Sequence, residues 1–199
     1  MKWLRLTGPD APFAPVRVLR SLGIATVAVG LLACGGDDDD SAAASAAVDG
    51  VIVERVGDYS HLLGDLDYDR PAPSGGDHPP APYWLTCGVY DGDVPDELAV
   101  HSLEHGAVWI ALGPDSTDAD RAAASELAAD RKVIVSDVPD LPNPVEAVAW
   151  GVRLPLESAD DPRLSVFVDS FIDASTGPEA GLSCQSVGTP PNPPTLPTS

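Results

Sequence analysis

Val108-Trp109-Ile110-Ala111-Leu112 is a continuous apolar run in the C-terminal two-thirds of the chain. A run of strand length without polar alternation predicts a strand buried on both faces. Residues 132–135 predict a second strand, and Val51-Ile52-Val53 a short one. Residues 145–156 read as one long or kinked strand with Trp150-Gly151 at its middle. Two helices stand out. Thr117-x-x-Asp120 reads as a capping box opening an alanine-rich stretch that reaches Asp130. In the second helix Leu164, Phe167, Val168, Phe171 and Ile172 recur at helical spacing behind Asp161 and Pro162, with Gly177 just past the end. Residues 70–83 carry Pro, Gly, Ser, Asp and His without periodicity, which predicts an ordered or functional loop. The predicted fold is α+β: a small mixed sheet with two helices on one face and an irregular, loop-rich N-terminal half.

The apolar pattern also divides the chain. Arg17 and Arg20 flank an apolar stretch over residues 21–33, too short for a membrane span of about 20 residues. It ends in Leu31-Leu32-Ala33-Cys34, which resembles the lipobox of bacterial lipoproteins. That resemblance implies cleavage before Cys34 and lipidation of its thiol. The expected protein is therefore anchored to the membrane through Cys34, on the outer face of the bacterial cell membrane and extracytoplasmic. An ordinary secretory signal with a chance cysteine is the alternative. Residues 1–33 read as the signal peptide and 34–49 as a flexible tether of aspartates, alanines and serines. Residues 50–187 form a single globular domain, and 188–199 a proline-rich disordered tail.

Charge narrows the partners. The formal net charge is −20, and the signal holds Lys2, Arg5, Arg17 and Arg20 against Asp10 alone. Such a surface repels nucleic acid, so nucleic acid is not an expected partner. Cys87 and Cys184 remain once Cys34 is assigned. In an oxidising compartment they are expected to pair as a disulfide, with two free thiols as the weaker alternative.

The chemistry concentrates in His101-Ser102-Leu103-Glu104-His105-Gly106. On a helical turn ended by Gly106, His101 and His105 face the same way with Glu104 beside them. Two imidazoles at this spacing suit one metal ion. His78, behind Gly75-Gly76, is the expected companion, with His61 as a further ligand. Imidazole and carboxylate donors suit Zn²⁺ or Cu²⁺, and no methionine follows Met1 to build a thioether site. His101 to His105 is formally HxxEH, the inverted zincin pattern, in which Glu104 would activate water. Glu126, Glu146, Glu157 and Glu179 are candidates for its downstream glutamate, but none sits in a companion motif. A polar cluster that pins loops by hydrogen bonds satisfies the same residues. Trp84, Tyr90, Trp109 and Trp150 read as core or core-edge. Ser102 lacks the Gly-x-Ser-x-Gly elbow of a nucleophile.

Several blocks in order carry a family resemblance: His61 with Tyr68; Pro73-Ser74-Gly75-Gly76-Asp77-His78; Trp84 with Cys87-Gly88-Val89-Tyr90; and residues 100–108. Ala149-Trp150-Gly151 and Pro178-Glu179 with Cys184 complete it. The chain resembles a bacterial family of exported or membrane-anchored proteins known as domain of unknown function 3105. The resemblance implies that all four histidines and both domain cysteines belong to family motifs, and it implies no reaction. One departure is Pro71-Ala72-Pro73, where the family more often has adjacent prolines. The expected function is metal binding for sensing, delivery or structure rather than turnover. A structural or interaction domain and a small metal-dependent hydrolase are the alternatives.

Overall fold

A computed structural model describes residues 48–196. The signal segment, Cys34 and residues 35–47 of the tether lie outside the described residues. Along the chain run β1 (Ile52–Val53), β2 (Gly88–Asp93), α1 (Asp96–Glu104), β3 (Val108–Leu112), α2 (Asp118–Ala128), β4 (Val133–Asp137), β5 (Val145–Ala149), β6 (Val152–Leu156) and α3 (Pro162–Phe171). The strands form one mixed sheet in the order β1-β6-β5-β3-β4-β2. β4 pairs in parallel with both β3 and β2, while β3-β5, β5-β6 and β6-β1 are antiparallel. The β3–α2–β4 unit is the crossover that parallel neighbours require.

β3 is fully buried because both of its faces are covered. On one face Val108, Ile110 and Leu112 pack with Ala124 and Ala128 of α2 and Leu164, Phe167, Val168 and Phe171 of α3. On the other, Trp109 and Ala111 pack with Leu98, Val100 and Leu103 of α1 and with Trp150. The two expected helices thus share one face, and α1 joins the loops on the opposite face. Each fully buried large apolar side chain contributes about 1.5–3 kcal/mol.

Local rules account for both expected helices. Thr117 and Asp120 form the reciprocal capping box, with the Asp120 N–H donating to Thr117 Oγ1 at 3.2 Å and the Thr117 N–H to Asp120 Oδ2 at 2.9 Å. Asp161 caps α3 by accepting from the Arg163 N–H at 2.9 Å. The left-handed residue after α3 is Asp173 (φ +53°), so Gly177 has a different task, at the site.

Two expectations change. Residues 145–156 are not one strand but the β5–β6 hairpin, turned at Trp150-Gly151, where Gly151 takes φ +70°. The histidine helix is not a single turn but spans Asp96–Glu104. Glu97 to Glu104 are all buried, so α1 shows no polar stripe to mark its length. Gly88–Asp93, which no pattern flagged, forms the edge strand β2. In the proline-rich segment expected to be disordered, the Asp91 N–H donates to Pro191 O at 2.6 Å. Among the described residues no helix is long and apolar enough to cross a membrane.

Candidate metal centre

The last turn of α1 carries the centre. His101 and His105 lie one turn apart with ring centroids 4.7 Å from each other, and Glu104 sits beside them. All three are at most 3% exposed. Ser102, in the same turn, is structural: its hydroxyl accepts from the Leu85 N–H at 2.9 Å and donates to the Leu98 carbonyl at 3.0 Å.

The loop over residues 70–83 delivers His78, which is fully buried. Gly76 takes φ +124°, a conformation open to glycine, and its carbonyl accepts from the His78 ring two residues on. A parallel bridge joins His61 to His78, with the Leu62 N–H donating to His78 O at 2.7 Å. His61 keeps 43% of its side chain in solvent and marks an open side of the cluster.

A third segment closes the site. The backbone of Gly177 passes so near α1 that a Cβ there would lie 2.7 Å from the Glu104 carbonyl oxygen. The Glu179 N–H donates to Glu104 O at 3.0 Å and the Gly181 N–H to His105 O at 3.2 Å, satisfying carbonyls at the end of the helix. Glu179 Oε2 thereby stands 3.4 Å from His105 Nε2. The Cys87–Cys184 disulfide ties this segment to the start of β2, with Cα atoms 5.5 Å apart.

The ring nitrogens are oriented by the backbone. His78 Nδ1 meets Gly76 O at 2.8 Å, His101 Nδ1 meets Tyr83 O at 3.0 Å, and His105 Nδ1 meets Ser183 O at 3.2 Å. A carbonyl oxygen can only accept, so each Nδ1 carries a proton and each Nε2 faces the cluster. The Nε2 atoms of His78, His61 and His101 lie 3.0, 3.6 and 3.9 Å from the same oxygen, Glu104 Oε2. Ligand-capable atoms of His61, His78, His101 and Glu104 all lie within 4.8 Å of one another, and so do those of His101, Glu104, His105 and Glu179.

Electrostatics follow from burial and neighbours. Burial pushes the His101 imidazole down to about 4, helped by the influence of His78 and His105, so it is neutral at pH 7. Burial alone would raise the Glu104 carboxyl. The His78 hydrogen bond and charge, the Tyr59 hydroxyl and His101 outweigh it and hold Glu104 at about 2. Tyr59 is pushed up to about 12 by burial and by its hydrogen bond to Glu104, so it stays a donor.

Aromatic rings wall the cluster. Tyr59 stacks on His78 at 5.4 Å, Trp150 meets His78 edge-on at 5.8 Å, and Trp84 packs on His101 and His105 at 5.2 and 4.6 Å. The Trp84 indole nitrogen is buried and has no hydrogen-bond partner among the described residues. Tyr90 and Trp109 are core as expected, whereas Trp84 and Trp150 also line the centre. Tyr59 carried no motif, and Glu179 was one glutamate among four. What set Glu179 apart from the other three was its place in the Pro178-Glu179 block ahead of Cys184, in a disulfide-tied segment. Glu146, by contrast, is taken up by Arg70 at 2.7 Å and Asn143 at 2.9 Å, away from the histidines.

A cleft of about 930 Å³ lies elsewhere, walled by Asp65, Asp67, Asp93, Asp96 and Asp140 among others, and none of the four histidines lines it. Asp96 there is pushed up to about 7, by burial first and then by Asp93 and Glu97. Comparisons with curated proteins and with solved structures find no match. The family described as Protein of unknown function (DUF3105) matches residues 61–186, a span holding all four histidines, Glu104, Glu179 and both disulfide cysteines. The chain belongs to that family.

Proposed function

We propose that the protein is a lipid-anchored, extracytoplasmic metal-binding protein that holds a divalent Zn or Cu ion through His61, His78, His101 and Glu104. One observation carries the reading. The Nδ1 atoms of His78 and His101 are committed to backbone carbonyls, so their Nε2 atoms turn toward one buried carboxylate oxygen. This second layer of backbone acceptors is what fixes the tautomer of metal-ligating histidines. Nitrogen and oxygen donors without sulfur suit Zn²⁺ and Cu²⁺. The ion would supply charge to balance Glu104 and draw the three rings into one geometry. Anchoring rests on Leu31-Leu32-Ala33-Cys34. It predicts a diacylated Cys34 by mass spectrometry and a protein released from membranes by Cys34→Ala.

The test is a thermal unfolding series of chelator-treated protein with added Zn²⁺ or Cu²⁺. Binding to the folded state alone at 100 times Kd stabilises it by about 2.7 kcal/mol. The midpoint is expected to rise with metal in the parent protein and much less in His101→Ala. An unmoved midpoint would favour the alternative, a structural His/Glu hydrogen-bond network.

Glu179 favours a second reading, since it gives His101 and His105 the downstream carboxylate of an inverted zincin. Against it, Glu104 is engaged by His78 and Tyr59 and ends its helix. Peptide hydrolysis by the metal-loaded protein, lost in Glu104→Gln with metal retained, would establish it.

A further inference from the structure

The donor set is too large for one ion and divides in two. His61 and His78 stand on one side of His101 and Glu104, while His105 and Glu179 stand on the other. Neither close group contains both outer pairs. A zinc-type ion takes about four protein ligands. We infer that the cluster is a dinuclear centre for two divalent transition-metal ions, with the Glu104 carboxylate bridging them.

This rests on the metal-binding reading and extends it. His101 has one free nitrogen and serves one ion, whereas a carboxylate has two oxygens and can serve both. Glu104 Oε2 already faces His61, His78 and His101, so the first position is complete with those three rings. The second takes His105, Glu179 and the remaining Glu104 oxygen. Carboxylate-bridged ion pairs sit about 3.5–4 Å apart, a span suited to donor atoms this close.

Three observations support the second position. His105 is prepared in the same way as His78 and His101, with Nδ1 on the Ser183 carbonyl and the ring buried. Its partner Glu179 is held by backbone bonds to the end of α1, not by chance proximity. The Trp84 indole N–H, buried and without a partner among the described residues, packs on His105 and His101. A water or hydroxide on the second ion is an acceptor of the kind this donor lacks. Glu179 is 45% exposed at its side chain, so the second ion meets solvent and exchanges the more readily.

The test uses the full chain, purified in detergent, stripped with chelator and titrated with Zn²⁺. Two equivalents per chain are expected, falling to one in Glu179→Gln and in His105→Ala while the tighter equivalent remains. Saturation at one equivalent in the parent protein, or a second equivalent that survives both substitutions, overturns the dinuclear centre and leaves a mononuclear one. No uptake at all overturns the metal reading with it. Electron paramagnetic resonance of Cu²⁺-loaded parent protein needs no variant. A spin-coupled pair at the second equivalent supports the centre, and two isolated copper signals contradict it.

Discussion

The two faces of the sheet are built by different physics. The face under α2 and α3 is a continuous apolar layer in which Phe167 and Phe171 meet at 4.5 Å. The face under α1 has an apolar floor, Leu98, Leu103 and Trp109, but above it lie buried His78, His101, Glu104, His105 and Glu146. The first face is held by burial, which is insensitive to the order of its contacts. The second adds to its own apolar layer hydrogen bonds, ion pairs and one disulfide, each of which fixes a direction. A fold that needs one face for stability can place oriented chemistry on the other.

Breaking the apolar face gives the largest expected effect. Phe167→Ala should cost about 3–5 kcal/mol in chemical denaturation. The fraction that remains folded should take up metal as the parent does. Loss of metal uptake at full folding would show that the faces are not independent.

Removing the disulfide strikes the other face. The loop it closes separates the cysteines by 97 residues, so Cys87→Ser with Cys184→Ser should cost on the order of 4 kcal/mol. Metal affinity should fall as well, because the Glu179 segment loses its tie to β2. Unchanged affinity would mean that the backbone bonds of Glu179 and Gly181 hold that segment alone.

Acid separates the faces by pH. Burial would raise Asp120, but hydrogen bonds from Thr117, Ala159 and Ser158 hold it at about 2, below its ordinary 3.8. A depressed carboxyl contributes stability above its unfolded value and loses it as pH falls toward the folded one. In metal-free protein the stability gap between parent and Asp120→Asn should be constant above about pH 5. It should close between about pH 4 and 2, by at most about 2 kcal/mol. A gap that persists at pH 2 would contradict this role.

The smallest effect refines the polar face. Tyr59→Phe removes a donor to Glu104 while keeping the ring on His78. Metal affinity should drop roughly ten-fold or more, as for other outer partners of a metal site, with little change in stability in the metal-free protein. An equal loss of stability would make Tyr59 a packing residue first.

Legibility followed the same division. Periodicity and capping exposed α2 and α3, because an amphipathic helix writes its buried face at helical spacing. α1 left only its last turn visible, since a helix buried on all sides has no contrasting stripe. The hairpin at Trp150-Gly151 read as one strand because both arms are apolar and the turn is two residues long. In the centre, His61, His78, His101 and Glu104 form one close group and His101, Glu104, His105 and Glu179 another. Tyr59 and the ring-packing role of Trp84 left no trace in the sequence, and Glu179 stood there only as one of four candidate glutamates, because neither periodicity nor spacing shows which loop residues meet in space.

On the proposed function, the oriented histidines of the polar face hold a divalent transition metal. Elemental analysis of the full chain, purified without chelator, tests it most directly. Stoichiometric Zn or Cu is expected, disappearing in a His78→Ala, His101→Ala double variant. A metal-free parent protein that also takes up neither ion when supplied would contradict it.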